Sequence, residues 1–292
     1  MEHDRLDILI YGHDGRGLGH VSRSVAIGMA LRRLYPHLKV CLLTGCSQTQ
    51  QLIDDVPLDW IKLPAYDTVV IDGRSTGVEG PGGFEDKELG HLRAEQIRQI
   101  VALYRPRLVL ADHTPQGKHR ELVPALSADS KDGPLWVMGT RGVVGSVAQA
   151  GSELAAELFQ RYYSALLWYG DSSVLGDDHL ELLGSRFSTE PRECGYVSRL
   201  IELVSYAHPS GVRHYGCTVS IPWFGEHTEG FFERLTEALG LMGPGSGRFR
   251  IFLGGDDLSR YKQKLEGLEF CTLGRFGPRC VDALCSSGSA LG

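Results

Sequence analysis

The sequence predicts an α/β protein built from βαβ units around parallel sheet, in two successive series. Three observations predict it. Short apolar runs alternate with amphipathic runs, a glycine-rich turn joins the first apolar run to the first amphipathic one, and chemistry-bearing residues sit where apolar runs end. Strands that alternate with helices are joined by crossovers, which makes their pairing parallel. In such sheets ligands gather at the carboxyl ends of the strands.

The first strand is expected over 6–11, Leu-Asp-Ile-Leu-Ile-Tyr. It runs into Gly12-His-Asp-Gly-Arg-Gly-Leu-Gly-His-Val-Ser-Arg23 and then a helix over 20–35, stopped by Pro36. Strand, glycine loop, helix: that order presents backbone N–H groups and a helix N-terminus to an anion. Gly15, Gly17 and Gly19 permit positive φ and close approach of a ligand to the backbone. Further strands are expected over 39–43, 107–111, 134–139, 165–169, 212–220, 248–253 and 269–273. Helices are expected over 47–54, 88–104, 117–127, 150–163, 228–240, 257–266 and 278–285. Ile97, Ile100, Val101 and Tyr104 have the spacing of one helix face, and Leu108–Ala111 is continuously apolar, as in a sheet covered on both sides.

Between these runs, Thr68–Gly83 is rich in Gly and Asp and reads as a long mobile loop over the mouth of the sheet. The stretch 199–212 contains Pro209, Ser210 and Gly211 and reads as a linker, so the expected domains are 1–198 and 213–292. Ser286–Gly292 reads as a loop entering another βα unit, which makes the expected second domain incomplete.

Bulk properties narrow the function classes. Apolar residues make up 42% and charged residues 23% of the 292, the balance of a globular protein in water. The formal net charge of −6 argues against general nucleic-acid binding. No apolar run approaches a membrane span, and Met1–Arg5 is polar with only a short apolar run behind it, unlike a signal peptide. None of the seven cysteines forms a C-x-x-C pair, which argues against a zinc site, and Cys41, Cys217 and Cys271 in strand-like runs read as small buried hydrophobes in a reducing cytosol.

The glycine loop departs from both common nucleotide motifs. A dinucleotide site has G-x-G-x-x-G and an acid at the end of the second strand, where this chain has Thr44-Gly-Cys-Ser47. A P-loop ends in G-K-[ST], and no Lys follows these glycines. A turn whose glycines serve only helix–strand packing stays open as the plain alternative.

Gly12–Arg23 resembles the first-loop signature of glycosyltransferases with the GT-B fold, related to the N-acetylglucosaminyltransferase that makes lipid II (family 28-like). Similar too are Leu43-Thr-Gly-Cys46, Asp59-Trp-Ile-Lys-Leu-Pro64, Leu110-Ala-Asp-His-Thr-Pro-Gln-Gly117 with Glu121-Leu122, Trp168-Tyr-Gly-Asp171 and Gly195-Tyr-Val197. The likeness covers roughly residues 6–200. It implies two Rossmann-like, doubly wound domains, the first holding a small-molecule or lipid-linked acceptor and the second a nucleotide-sugar donor, usually a UDP-sugar. It implies catalysis without a bound metal or other cofactor. In the second domain Ser220–Gly230 departs from the family pattern, because Pro222, Trp223 and Phe224 replace flexible glycines. A partner chain that supplies the missing part of the donor site is one expectation, and contact of Pro222–Phe224 with a membrane surface is another.

Glycosyl transfer needs a base for the acceptor hydroxyl, and a histidine, titrating near neutrality, suits that task. His20 is the catalytic candidate, with loop positioning as its plain alternative. Asp112 either orients His20, binds an acceptor hydroxyl or caps the turn that follows it, and His113 beside it is an acceptor-binding candidate. Arg23 and Arg141 either meet an acceptor anion or stand in solvent. Glu229 and Gly230 fall where a donor would bind, or serve only the first turn of their helix. A non-catalytic binding remnant and a nucleotide-sugar epimerase are the competing functions.

Overall fold

The computed structural model describes residues 5–13, 18–71, 74–78, 82–128, 133–143, 151–207, 214–221, 228–253, 258–275 and 279–291. Gly15 and Gly17, Pro222–Phe224 and the 208–212 part of the expected linker lie outside them. The chain divides into two compact units, Met1–Arg199 and Leu200–Gly292.

The first unit carries β1 (Ile8–Tyr11), β2 (Val40–Thr44), β3 (Asp59–Lys62), β4 (Asp67–Ile71), β5 (Arg74–Val78), β6 (Leu108–Asp112), β7 (Leu135–Arg141), β8 (Tyr163–Tyr169) and β9 (Arg192–Glu193). Its helices are α1 (Gly19–Leu34), α2 (Thr49–Ile53), α3 (Asp86–Tyr104), α4 (Val123–Leu126), α5 (Glu153–Tyr162), α6 (Ser172–Leu175) and α7 (Asp178–Phe187). Seven strands form one sheet in the order β3-β2-β1-β6-β7-β8-β9, every pair parallel. The expected α/β class with parallel sheet is therefore present. Leu9, Ile10 and Tyr11 of β1 and Leu42 and Leu43 of β2 are buried on both faces, as a central strand pair under two helix layers must be. Gly28 lets α1 lie close: a Cβ there would come within 2.7 Å of Leu58.

Two expectations for this unit are corrected. Within Thr68–Gly83 the chain forms the antiparallel pair β4–β5, Ile71 opposite Arg74, instead of one long loop. The cause is legible afterwards: Thr68-Val-Val-Ile71 is β-branched, and Asp72-Gly73 is a hairpin-turn dipeptide. The expected helix 117–127 is broken into a 3-10 turn at Lys118–Arg120 and the short α4, because His119 and Arg120 take φ of 51° and 63°.

The chain continues with α8 (Arg199–Ala207), which occupies the first part of the expected linker. The second unit then carries β10 (Tyr215–Ile221), α9 (Thr228–Met242), β11 (Phe249–Leu253), α10 (Leu258–Lys264), β12 (Cys271–Arg275), α11 (Arg279–Cys285) and β13 (Ser287–Leu291). Its sheet is smaller, ordered β12-β11-β10-β13, and all parallel. Val219, Ile251, Leu253 and Phe232 form its core. Ser287–Leu291, expected as loop, is a strand paired with β10, although its sequence is small and mostly exposed. Pairing to a buried neighbour overrides its weak intrinsic preference. Among the described residues no helix is long and apolar enough to cross a membrane.

Candidate functional site

Sheet register builds the site. Tyr11 of β1 lies beside Ala111 of β6, Asp112 beside Gly139 of β7, and Arg141 beside Tyr169 of β8. The carboxyl ends of four neighbouring strands thus bring His13, Asp112, His113 and Tyr169 together. The N-terminus of α1 adds His20 and Arg23 on successive turns of one face.

Asp112 is the centre, 4% exposed. Its Oδ2 is 2.7 Å from Nδ1 of His20. Its Oδ1 accepts from Arg23 Nη2 at 2.5 Å and Nε at 3.2 Å. Burial alone would push this carboxyl up, but the His20 hydrogen bond and the Arg23 charge outweigh burial and hold it at about 2. Arg23 Nη2 is also 3.2 Å from His20 Nδ1. A carboxylate only accepts and a guanidinium only donates, so the shorter contact to Asp112 decides the tautomer: Nδ1 carries the proton and Nε2 keeps its lone pair. Arg23 is fixed from its other side by the Tyr169 ring, 5.6 Å from the guanidinium carbon. Gly139 makes room for that ring, since a Cβ there would sit 2.1 Å from the Tyr169 hydroxyl oxygen.

Three imidazoles crowd the same space. Ring centroids are 5.2 Å apart for His13 and His20, 5.3 Å for His13 and His113, and 4.7 Å for His20 and His113. Burial, then the charge on His20, lowers His113 to about 4, with Arg141 and Arg23 acting the same way and Asp112 opposing. Burial followed by His20 and His113 lowers His13 well below its ordinary value. Both are neutral at pH 7. His13 Nδ1, His113 Nδ1 and Thr114 Oγ1 are buried without a hydrogen-bond partner among the described residues. Unsatisfied polar atoms gathered in one place are uncommon in a settled core and point to a binding site. His113 also holds φ of 78°, a strained setting for a non-glycine residue.

Sequence reasoning placed His20, Arg23, Asp112 and His113, and these four meet. Arg141 ends β7, exposed, near enough for its charge to act on His113. Gly19 opens α1 without positive φ, so the conformational reason given for it does not apply. Glu229 and Gly230 belong to the second unit, in the first turn of α9. The Glu229 carboxylate is bound by Lys264 of α10, and Gly230 faces open space.

Tyr169 and a second, fully buried group were not read as site residues. Arg93 of α3 donates to both oxygens of Glu121, at 2.7 and 2.9 Å, and neither side chain is exposed. Tyr11 donates to the same carboxylate at 2.5 Å and Tyr66 at 2.9 Å, and Arg93 also donates to Pro64 O at 2.6 Å. This knot ties β1, just before Gly12, to α3 and to the segment after β6. Among the described residues no cluster of His, Cys, Asp and Glu is arranged to hold a metal ion.

No family model matches the chain, and no curated protein matches it in sequence. Solved structures do match in fold. A glycosyltransferase from Rickettsia africae aligns over 99% of this chain and 73% of its own, at 10% identity and a TM-score of 0.51. A UDP-GlcNAc 2-epimerase from Neisseria meningitidis, solved bound to UDP-GlcNAc, aligns over 95% of this chain and 74% of its own, at 9% identity and 0.53. MnaA of S. aureus, solved with UDP, aligns over 96% and 71%, at 11% and 0.54. At such identities the likeness is one of fold, and the fold class is GT-B-like: two parallel-sheet α/β units, the second the smaller.

Proposed function

We propose that this chain is a glycosyltransferase that moves a sugar from a nucleotide-sugar, in the first instance a UDP-sugar, to an acceptor hydroxyl. The observation that carries the reading is the 2.7 Å bond between Asp112 and Nδ1 of His20, which leaves Nε2 as the acceptor of a proton. In the reaction the acceptor oxygen attacks the anomeric carbon, the bond to the nucleoside diphosphate breaks, and the hydroxyl proton passes to His20 Nε2. Asp112 is then a positioning residue: it fixes the tautomer and stabilises the imidazolium as it forms. Arg23 shares the carboxylate through the opposite oxygen, so it neutralises Asp112 without displacing His20. The acceptor meets the first glycine loop, Gly15 to Gly19, with His113, Arg23 and Arg141 around it. The donor belongs to the second unit, near Glu229 and Gly230 at the start of α9. The family 28-like kinship and a lipid-linked acceptor rest on the motifs of the first 200 residues.

Epimerisation of the nucleotide-sugar is the second reading, favoured by the solved UDP-GlcNAc 2-epimerases that share the fold. One experiment separates the two. UDP-sugars are incubated with the chain, with and without a panel of hydroxyl acceptors, and the products are resolved by mass and by sugar configuration. Transfer predicts UDP release only with an acceptor. Epimerisation predicts an isomeric donor with none. For transfer, His20→Ala is expected to lower turnover by about 10²–10⁴-fold while UDP-sugar affinity stays within twofold (about twofold being the usual scatter). Equal turnover in the variant removes His20 as base.

A further inference from the structure

A cavity of about 820 Å³ opens beside the site, between α3, the segment after β6 and the start of α5. None of its described lining residues belongs to the Asp112–His20 group. Its floor is apolar: Gly90, Ala94, Val123, Pro124 and Leu154. Its rim is cationic or imidazole: Lys87, His91, His119 and Arg120. No carboxylate is among the described lining residues. Of the acids next to lining residues in sequence, Asp86 meets the rim itself through His119 Nε2 at 3.1 Å, Glu121 is bound by Arg93 and Glu95 by Arg98, while Glu85, Glu88 and Glu153 are exposed. Neither Asp86 nor Glu121 pairs with Lys87 or Arg120. His91 donates Nδ1–H to Lys87 O at 3.0 Å, which leaves its Nε2 for a ligand.

We propose that this cavity is a second binding site, for an amphiphile with a phosphate head and an apolar body. Size and lining are those of a small-molecule pocket, apolar with a few convergent polar groups. Two separate donors from two positions, the Lys87 ammonium and the Arg120 guanidinium, suit the several oxygens of a phosphate, and His91 Nε2, an acceptor in this tautomer, can accept from the P–OH of a phosphate monoester. An inorganic ion alone would leave the apolar floor in water. A neutral amphiphile would leave two cations on the rim without a counter-charge. The ligand rests against a segment with left-handed backbone at Gly117, His119 and Arg120, which is the continuation of the strained His113. Occupation of the cavity therefore bears on the same segment that carries Asp112. The proposal concerns binding and stands or falls separately from the transfer reaction.

The test is calorimetric titration of the full chain with octyl phosphate below its micellar concentration, beside inorganic phosphate and octyl glucoside. Saturable one-to-one binding of octyl phosphate is expected, at least about tenfold tighter than inorganic phosphate, with none for the neutral glucoside. Two variants probe the two halves. Lys87→Ala with Arg120→Gly removes the charges, and glycine accepts the positive φ at 120. Ala94→Phe fills the floor and keeps the charges. Both are expected to weaken octyl phosphate by about tenfold or more, at unchanged circular dichroism, with the wild-type far-ultraviolet spectrum as reference. Co-sedimentation with phosphatidic acid vesicles, lost in the same variants, identifies the ligand as a membrane lipid. Octyl phosphate binding without co-sedimentation identifies a free amphiphile. No saturable binding by folded wild type, or binding unchanged in both variants, overturns the site.

Discussion

Gly139 and Tyr169 show how single residues hold the site. The Tyr169 ring lies over the place a side chain at 139 would occupy, and its other role is to back the Arg23 guanidinium. Gly139→Ala forces the ring to move, because 2.1 Å is far inside any van der Waals contact. The expected loss is about 1–3 kcal/mol, read as a lower urea midpoint, together with a weaker hold on Arg23. An unchanged midpoint refutes this account. His20 and Asp112 were legible in the sequence because each follows an apolar strand run, where ligands of parallel sheets gather. Tyr169 was not, since its role depends on the register of β7 against β8. The three-histidine cluster was legible only in its parts: His113 is roughly a hundred residues from His13 and His20, and the pairing of β1 with β6 brings the three rings within 5.3 Å.

The segment from His113 to Glu121 is the element that organises this region. It turns back on itself through four positive-φ residues and ends on the buried Arg93–Glu121 pair. Such a pair contributes little compared with a well-packed apolar substitute, but half of it is costly. Glu121→Gln is expected to destabilise by about 3–5 kcal/mol, because Arg93 keeps its charge without a counter-charge. Arg93→Met combined with Glu121→Leu is expected to lose less than Glu121→Gln alone. Urea unfolding of the wild type and the two variants checks the order, and a larger loss in the double variant than in Glu121→Gln would count against this account. The sequence predicts a helix over 117–127, which overlaps the end of this segment. Only the contacts of Glu121 with Tyr11, Tyr66 and Arg93 explain why the helix gives way. Likewise Asp72-Gly73 signalled a hairpin that the abundance of glycine nearby obscured, and β13 exists because β10 offers it a ladder.

For the whole molecule, buried charge sets an acid limit. His13 and His113 titrate below their ordinary value in the folded chain, so the unfolded chain binds more protons between pH 6.5 and about 4. Their unfavourable effect is absent above pH 6.5 and grows as pH falls toward 4. Asp112 acts in the same direction lower down: the stability it contributes is complete above the unfolded value of about 3.9 and is lost as pH falls through about 2. Tm is therefore expected to fall between pH 7 and pH 4, and His113→Asn to make the slope shallower. A slope unaltered in that variant would assign the acid sensitivity to other groups. At this scale the alternation of strands and helices made the fold class legible before any contact was known. The reaction was less so, because a solved glycosyltransferase and solved 2-epimerases share this fold.

The strand order has one more consequence, for how the chain is made. β1 is made before the other strands of its sheet yet lies inside it, third of seven, and its second neighbour is β6, with Ile8 beside Leu108. One edge of this buried strand therefore waits for roughly a hundred further residues of synthesis, and contacts this distant in sequence slow folding. Until then Leu9-Ile10-Tyr11 is an open template for other strands. The nascent chain is thus most exposed to mispairing before Leu108–Asp112 leaves the ribosome, and chaperone occupancy should concentrate in that interval.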